Sequence, residues 1–111
     1  MNVNFVNNWT SQVKKGTLAF ILLNILEGKE FYGYELIEQV KKFTEIEIAE
    51  GTLYPLMNRL KKEGLVESQW IEQETGIPRK YYTLSKLGIE TLREMRNYWN
   101  NLEVAIKKMK K

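Results

Sequence analysis

The spacing of apolar positions divides the chain into helical and extended stretches. The run Leu18–Leu26, LAFILLNIL, is apolar at all but one position and is followed by Gly28, a residue suited to a helix C-terminus. Thr10 or Ser11 can accept the first free N–H groups, which predicts a buried first helix from there to about Glu27. Ahead of it, residues 1–9 (MNVNFVNNW) are asparagine-rich and are expected to be partly ordered, with Phe5, Val6 and Trp9 as packing anchors. A second helix is expected from near Tyr32 to Phe43. Leu36, Ile37 and Val40 form its buried side, and Glu38 faces Lys42 one turn on. TEIEI (44–48) alternates polar and apolar residues and reads as a short extended connection.

The next stretch, EGTLYPLMNRLKKEGLV (50–66), carries a contradiction. Leu53, Leu56, Met57 and Leu60 make a helical stripe, yet Pro55 lies inside it. A proline in a helix interior costs about 3 kcal/mol, because it removes an N–H and crowds the preceding turn. A helical wheel separates two faces. The stripe points one way; Gly51, Tyr54, Pro55, Asn58 and Lys62 point the other, with Thr52 and Arg59 on one flank and Lys61 on the other. Gly64 closes the helix.

After Gly64 the period changes. LVESQWIE (65–72) and KYYTL (80–84) are rich in β-branched and aromatic residues and enclose QETGIPR, with Gly76 and Pro78, which predicts a β-hairpin with a long loop. Ser85 then caps a final helix whose apolar residues Leu92, Met95, Trp99, Leu102, Ile106 and Met109 alternate spacings of three and four. That averages 3.5 residues, the period of a coiled-coil seam, and one helix cannot bury such a seam alone. A second copy of the chain is the simplest partner, giving a two-fold homodimer.

Composition narrows the chemistry. The chain has 111 residues, one domain's worth, with 43% hydrophobic and 28% charged residues, as in ordinary globular proteins. It contains no cysteine, no histidine and no aspartate, since all 14 acidic residues are glutamate. Thiolate zinc sites, disulfides and the commonest general base are therefore excluded, which argues against an enzyme and against a resident metal or cofactor. A reducing cytoplasm is compatible. The nine-residue apolar run falls well short of the roughly 20 a membrane span needs, and it lacks the flanks of a signal peptide. The net charge of +3 is unevenly placed: residues 32–49 are acidic, 50–84 are balanced, and 85–111 are basic with a lysine-rich tail. That tail reads as a solvated helix end, favoured by the helix dipole, and is compatible with nucleic-acid attraction.

Helix, helix, helix, strand, strand, helix is the order of a winged helix-turn-helix: a mainly α fold with a small β-hairpin and, here, a C-terminal dimerisation helix. GYELIEQV (33–40), GTLYPLMNRLKKEGLV (51–66) and RKYYTLSKLGIETL (79–92) resemble the PadR family of bacterial transcriptional regulators, over roughly residues 14–100. The single helix after the hairpin resembles the family's short subfamily. Ala49 stands where many relatives carry Ser or Asn at the third helix's N-cap. The resemblance implies a DNA-binding unit over residues 1–84 and a coiled-coil-like dimerisation helix over 85–111. It also implies a cytoplasmic protein, most simply a repressor, bound to a pseudo-palindromic operator of the form ATGT–spacer–ACAT. A third helix opening near Glu50, as in the family, puts Pro55 in its interior and leaves the Gly51 carbonyl free; one opening at Thr52 puts Pro55 in the first turn at little cost.

The candidate DNA contacts follow. On the third helix, Gly51 and Pro55 present little bulk to an approaching backbone. Thr52, Tyr54 and Asn58 offer short hydrogen-bonding groups, Arg59 suits a guanine edge or a phosphate, and Lys62 adds charge. In the hairpin, Arg79 and Lys80 sit where a wing reaches DNA; Tyr82 suits the core and a contact equally. Tyr32, Gly33 and Tyr34 begin the second helix, whose N–H groups suit a phosphate. Lys14 and Lys15 can reach the flanking strand. Trp99 suits a core position; in multidrug-responsive relatives the matching tryptophan flanks a pore that stacks flat aromatic compounds, which implies a planar aromatic effector. A winged helix can also serve as a protein–protein adaptor without DNA, a reading the near-neutral charge of residues 50–84 allows.

Overall fold

The computed structural model describes residues 2–110; Met1 and Lys111, the outer ends of the two expected units, lie outside the described residues. The elements are α1 (Val3–Leu26), β1 (Phe31–Tyr32), α2 (Gly33–Thr44), α3 (Glu50–Lys62), β2 (Val66–Ile71), β3 (Arg79–Leu84) and α4 (Lys86–Met109). The expected winged helix-turn-helix is present, with one addition. Phe31 and Tyr32 pair antiparallel with Tyr82 and Tyr81, so the hairpin becomes a three-stranded sheet in the order β1-β3-β2. A two-residue strand is too short to show period-two alternation.

The first helix begins earlier than expected. The Asn2 side chain accepts from the Phe5 N–H at 3.0 Å, and Thr10 and Ser11 lie mid-helix. Asparagine caps as well as serine, and nothing between residues 3 and 9 breaks a helix. The anchors Phe5, Val6 and Trp9 are exposed on this extension, together with Val3.

The core sits where the helices meet the sheet. Leu22, Leu23 and Leu26 of α1, Leu36 and Val40 of α2, Leu53 and Met57 of α3, Val66, Tyr82 and Leu92 are all buried together. Glu38 and Lys42 make no ion pair; Lys41 instead reaches Glu47 at 2.9 Å, across the connection after α2. That connection turns at Glu45, which adopts φ 62.

Two joints fix α3 and α4 to the sheet. Beyond α3, the Leu65 N–H bonds the Leu60 carbonyl at 2.9 Å and the Gly64 N–H bonds that of Lys61 at 3.0 Å, with Gly64 at φ +80. This is a Schellman turn, and its left-handed residue favours glycine. At α4, the Ser85 hydroxyl oxygen accepts from the Gly88 N–H at 2.9 Å and donates to the Gly64 carbonyl. Gly88 lies so close to the link between α3 and β2 that a Cβ there would stand 2.0 Å from the Leu65 carbonyl oxygen.

Further along α4, Arg96 clasps the end of α1. Its Nε donates to the Asn24 side chain at 2.9 Å, and its two terminal nitrogens meet the Glu27 carboxylate at 2.9 and 2.8 Å. This bidentate hydrogen bond holds the Glu27 carboxyl below its ordinary value, with the Arg96 and Arg93 charges adding to it.

Gly88→Ala is expected to lower unfolding stability by about 2 kcal/mol through backbone overlap. Gly51→Ala, where a Cβ meets nothing within 4 Å, should raise it by up to about 1 kcal/mol through helix propensity; urea melts of both variants check the contrast. Because the folded Glu27 carboxyl ionises more readily than in the unfolded chain, its contribution is complete above the ordinary value of 4.5 and fades as pH falls through the lower folded value. The melting-temperature gap between the wild type and Glu27→Gln should accordingly be widest near neutrality and close in acid.

Candidate nucleic-acid interface

Burial of Leu53, Met57 and Leu60 leaves the other face of α3 open: Gly51, Thr52, Tyr54, Pro55, Asn58, Arg59 and Lys62 are all exposed. The helix begins at Glu50, so Pro55 lies in its interior and the Gly51 carbonyl lacks the N–H that would normally bond it. Ala49 offers no side-chain cap, and the Thr52 and Leu53 N–H groups both turn onto its carbonyl at 3.0 Å. No neighbour within the chain limits the side chain at Gly51. The small residue there is free of internal packing demands, and the surface above it is open.

Tyr54 is only 38% exposed because its ring leans on the start of α2. A Cβ on Gly33 would stand 2.3 Å from the Tyr54 hydroxyl, so the absent side chain at 33 is what seats the phenol. Gly33 itself is buried. The start of α2 is less open to an anion than the sequence implies. Glu35 folds back and its carboxylate accepts from the Tyr32 N–H at 3.2 Å, placing a negative charge where a phosphate was expected.

The wing completes the surface. The Arg79 guanidinium lies 4.4 Å from the Tyr32 ring centroid, and the Lys80 ammonium lies 5.9 Å from both the Trp70 and Tyr82 rings. Tyr32 and Tyr81 meet edge to face at 5.4 Å. Between α3, the start of α2 and the wing lies a cleft of about 450 Å³. Six of the sequence candidates meet there: Tyr32, Gly33, Tyr54, Asn58, Arg79 and Lys80. Trp70 and Pro78 also line it, and neither is a sequence candidate. Tyr82 is 1% exposed, which resolves its two readings toward the core. Burial pushes its phenol above the ordinary tyrosine value, with the nearby Tyr54 adding to the shift.

The remaining candidates fall elsewhere. Arg59 lies on the opposite flank of α3, 4.0 Å from Glu63, and shares a groove with Lys15 of α1. Thr52 and Lys62 lie on the open face of α3 outside the cleft, and Tyr34 and Lys14 are exposed beyond it. Lys61 is tied to the sheet, donating to the Ser68 hydroxyl at 2.7 Å.

The coiled-coil seam is divided. Leu92 is fully buried in the protomer's own core and so is not free to meet a second copy, and Met95 is half-buried against that core. Trp99, Leu102, Ile106 and Met109 remain exposed. The Trp99 ring lies 5.6 Å from that of Phe20, tilted by 42°, at an apolar groove of about 430 Å³ that also includes Val13, Thr17, Ile21 and Phe43. Among the described residues, no cluster of His, Cys, Asp or Glu could hold a metal ion. No described helix is long and apolar enough to cross a membrane.

The helices α1 to α3 and a two-stranded wing with its short third strand define a winged helix-turn-helix fold. The family model for the transcriptional regulator PadR-like family matches residues 22–94, and the chain belongs to that family. A PadR family transcriptional regulator from Eggerthella lenta superposes with a TM-score of 0.84 at 34% identity, covering 96% of this chain and 92% of its own. A PadR-like transcription factor from Bacteroides fragilis gives 0.79 at 34% identity, over 93% and 99%. The transcriptional regulator YqjI of Escherichia coli is 30% identical over 94 residues, which are 83% of this chain and 44% of YqjI. The chain thus spans less than half of that relative. These relatives are transcriptional regulators, not enzymes, and the chain is accordingly a PadR-like transcriptional regulator.

Proposed function

We propose that the protein is a homodimeric repressor that binds a pseudo-palindromic operator, of the form ATGT–spacer–ACAT, near a promoter. The observation that carries this reading is the convergence of Tyr54 and Asn58 of α3 with Arg79 and Lys80 of the wing on one cleft. In this arrangement α3 enters the major groove and the wing meets the flanking strand. Arg59 and Lys15, on the other flank, are placed for a second stretch of backbone. Pro55 and Gly51 keep the start of α3 slim where the phosphodiester approaches. Residues 1–84 form the DNA-binding unit and 85–111 the dimerisation helix.

The dimer rests on unpartnered apolar surface. Leu102, Ile106 and Met109 on α4 and Val3, Phe5 and Trp9 on α1 are exposed in the protomer, more than solitary surface residues require. Their burial between two copies would set the distance between the two α3 helices, which must match about one turn of DNA. The groove beside Trp99 offers an effector site. A planar aromatic compound there, preferring one dimer geometry, shifts the population able to bind DNA.

In an electrophoretic shift with the duplex upstream of its own gene, Tyr54→Ala and Arg59→Ala are each expected to abolish specific retardation while sizing still gives a dimer. Retained affinity in both would refute the role of α3. Arg79→Ala and Lys80→Ala should each lower the salt slope by about 1, as the loss of one phosphate contact does. For the effector, a planar dye should quench Trp99 emission in a protein whose other tryptophans are replaced by Phe; a Trp99→Ala variant with unchanged dye affinity counts against the groove.

A further inference from the structure

Trp70 is the largest side chain in the cleft, and nothing in the reading above uses it. It is 65% exposed on β2, so packing does not explain it. The strand register does. Trp70 pairs with Lys80, and Ser68 with Tyr82, so Trp70 and Lys80 share the sheet face whose inner part carries the buried Tyr82. Two residues outward from Tyr82 the sheet has outrun the core. The same face then stands open and looks across the cleft at Tyr54 and Asn58 of α3.

A flat apolar ring with an ammonium above it suits one kind of surface well. A sugar–phosphate strand alternates apolar deoxyribose faces with anionic oxygens, and the indole adds one N–H donor. We propose that Trp70 is a DNA contact of the wing, its indole packed on a deoxyribose of the strand that crosses the cleft and Lys80 on the adjoining phosphate. This rests on the DNA-binding reading of the cleft. Because every sequence presents the same sugar, the contact raises affinity without selecting bases.

Fluorescence anisotropy with the labelled duplex upstream of its own gene, and with an unrelated duplex, tests this across a series of salt concentrations. Trp70→Ala should weaken both duplexes about tenfold and leave the salt slope unchanged, since no cation is removed. Trp70→Phe should retain most of the affinity, and far-UV circular dichroism should show all variants folded. Wild-type affinity in Trp70→Ala overturns the contact while leaving DNA binding intact. A slope that falls by about 1, as in Lys80→Ala, overturns it too, because Trp70 would then only hold the lysine. A wild-type protein that binds neither duplex overturns this contact and the DNA-binding reading together.

Discussion

Leu53, Met57 and Leu60 anchor α3 against Leu36 and Val40 of α2 and the leucines of α1, and the rest of the molecule is organised around that contact. Burying such side chains stabilises by about 1.5–3 kcal/mol each, far more than any polar contact on the opposite face. The apolar stripe therefore decides the rotation of the helix, and with it which residues face outward. Gly51, Tyr54, Pro55 and Asn58 are outside because the leucines are inside. An interior proline is tolerable under these conditions: tertiary packing holds the helix even where a backbone hydrogen bond is missing.

The joints around α3 give that face its neighbours. The Schellman turn at Gly64 leads directly into β2, and Ser85 bonds back to the same turn, so the wing and α4 leave from one point. Gly88 allows the close approach of α4 to the sheet, and Arg96 clamps α4 to the end of α1 through Glu27 and Asn24. The helix bearing the exposed Trp99, Leu102, Ile106 and Met109 is thus joined to the domain bearing the exposed α3 face. Gly33 does the same on a smaller scale, since its missing side chain seats the Tyr54 phenol between α2 and the wing.

Much of this was legible in the sequence. The two faces of α3, the hairpin and the Ser85 cap follow from period and capping chemistry, and three motifs identify the family; whether Pro55 falls in the helix interior or its first turn does not, because Ala49 gives no cap signal to mark the start. The misses have physical causes. Thr10 and Asn2 are comparable caps, so local chemistry could not choose between them, and the longer helix won. Leu92 fits the seam's period, but spacing cannot tell which neighbour covers an apolar residue; here it is the protomer itself. Glu35 closes the start of α2 as a capping-box residue, but the residue it caps is a tyrosine, so the usual Ser/Thr–x–x–Glu pattern does not mark it. Trp70 needed the cross-strand register, which a hairpin with a long loop does not reveal before it folds.

The central claim, that the open face of α3 lies in the major groove and the wing on the flanking strand, is tested most directly by footprinting the bound operator. Methylation of guanine N7 reports the major groove, and hydroxyl-radical cleavage reports the sugars. The expected pattern is two major-groove protections about one helical turn apart, each flanked outward by protected sugars under the wing. Protected sugars with every guanine N7 still reactive, at an operator with guanines in its half-sites, would contradict it.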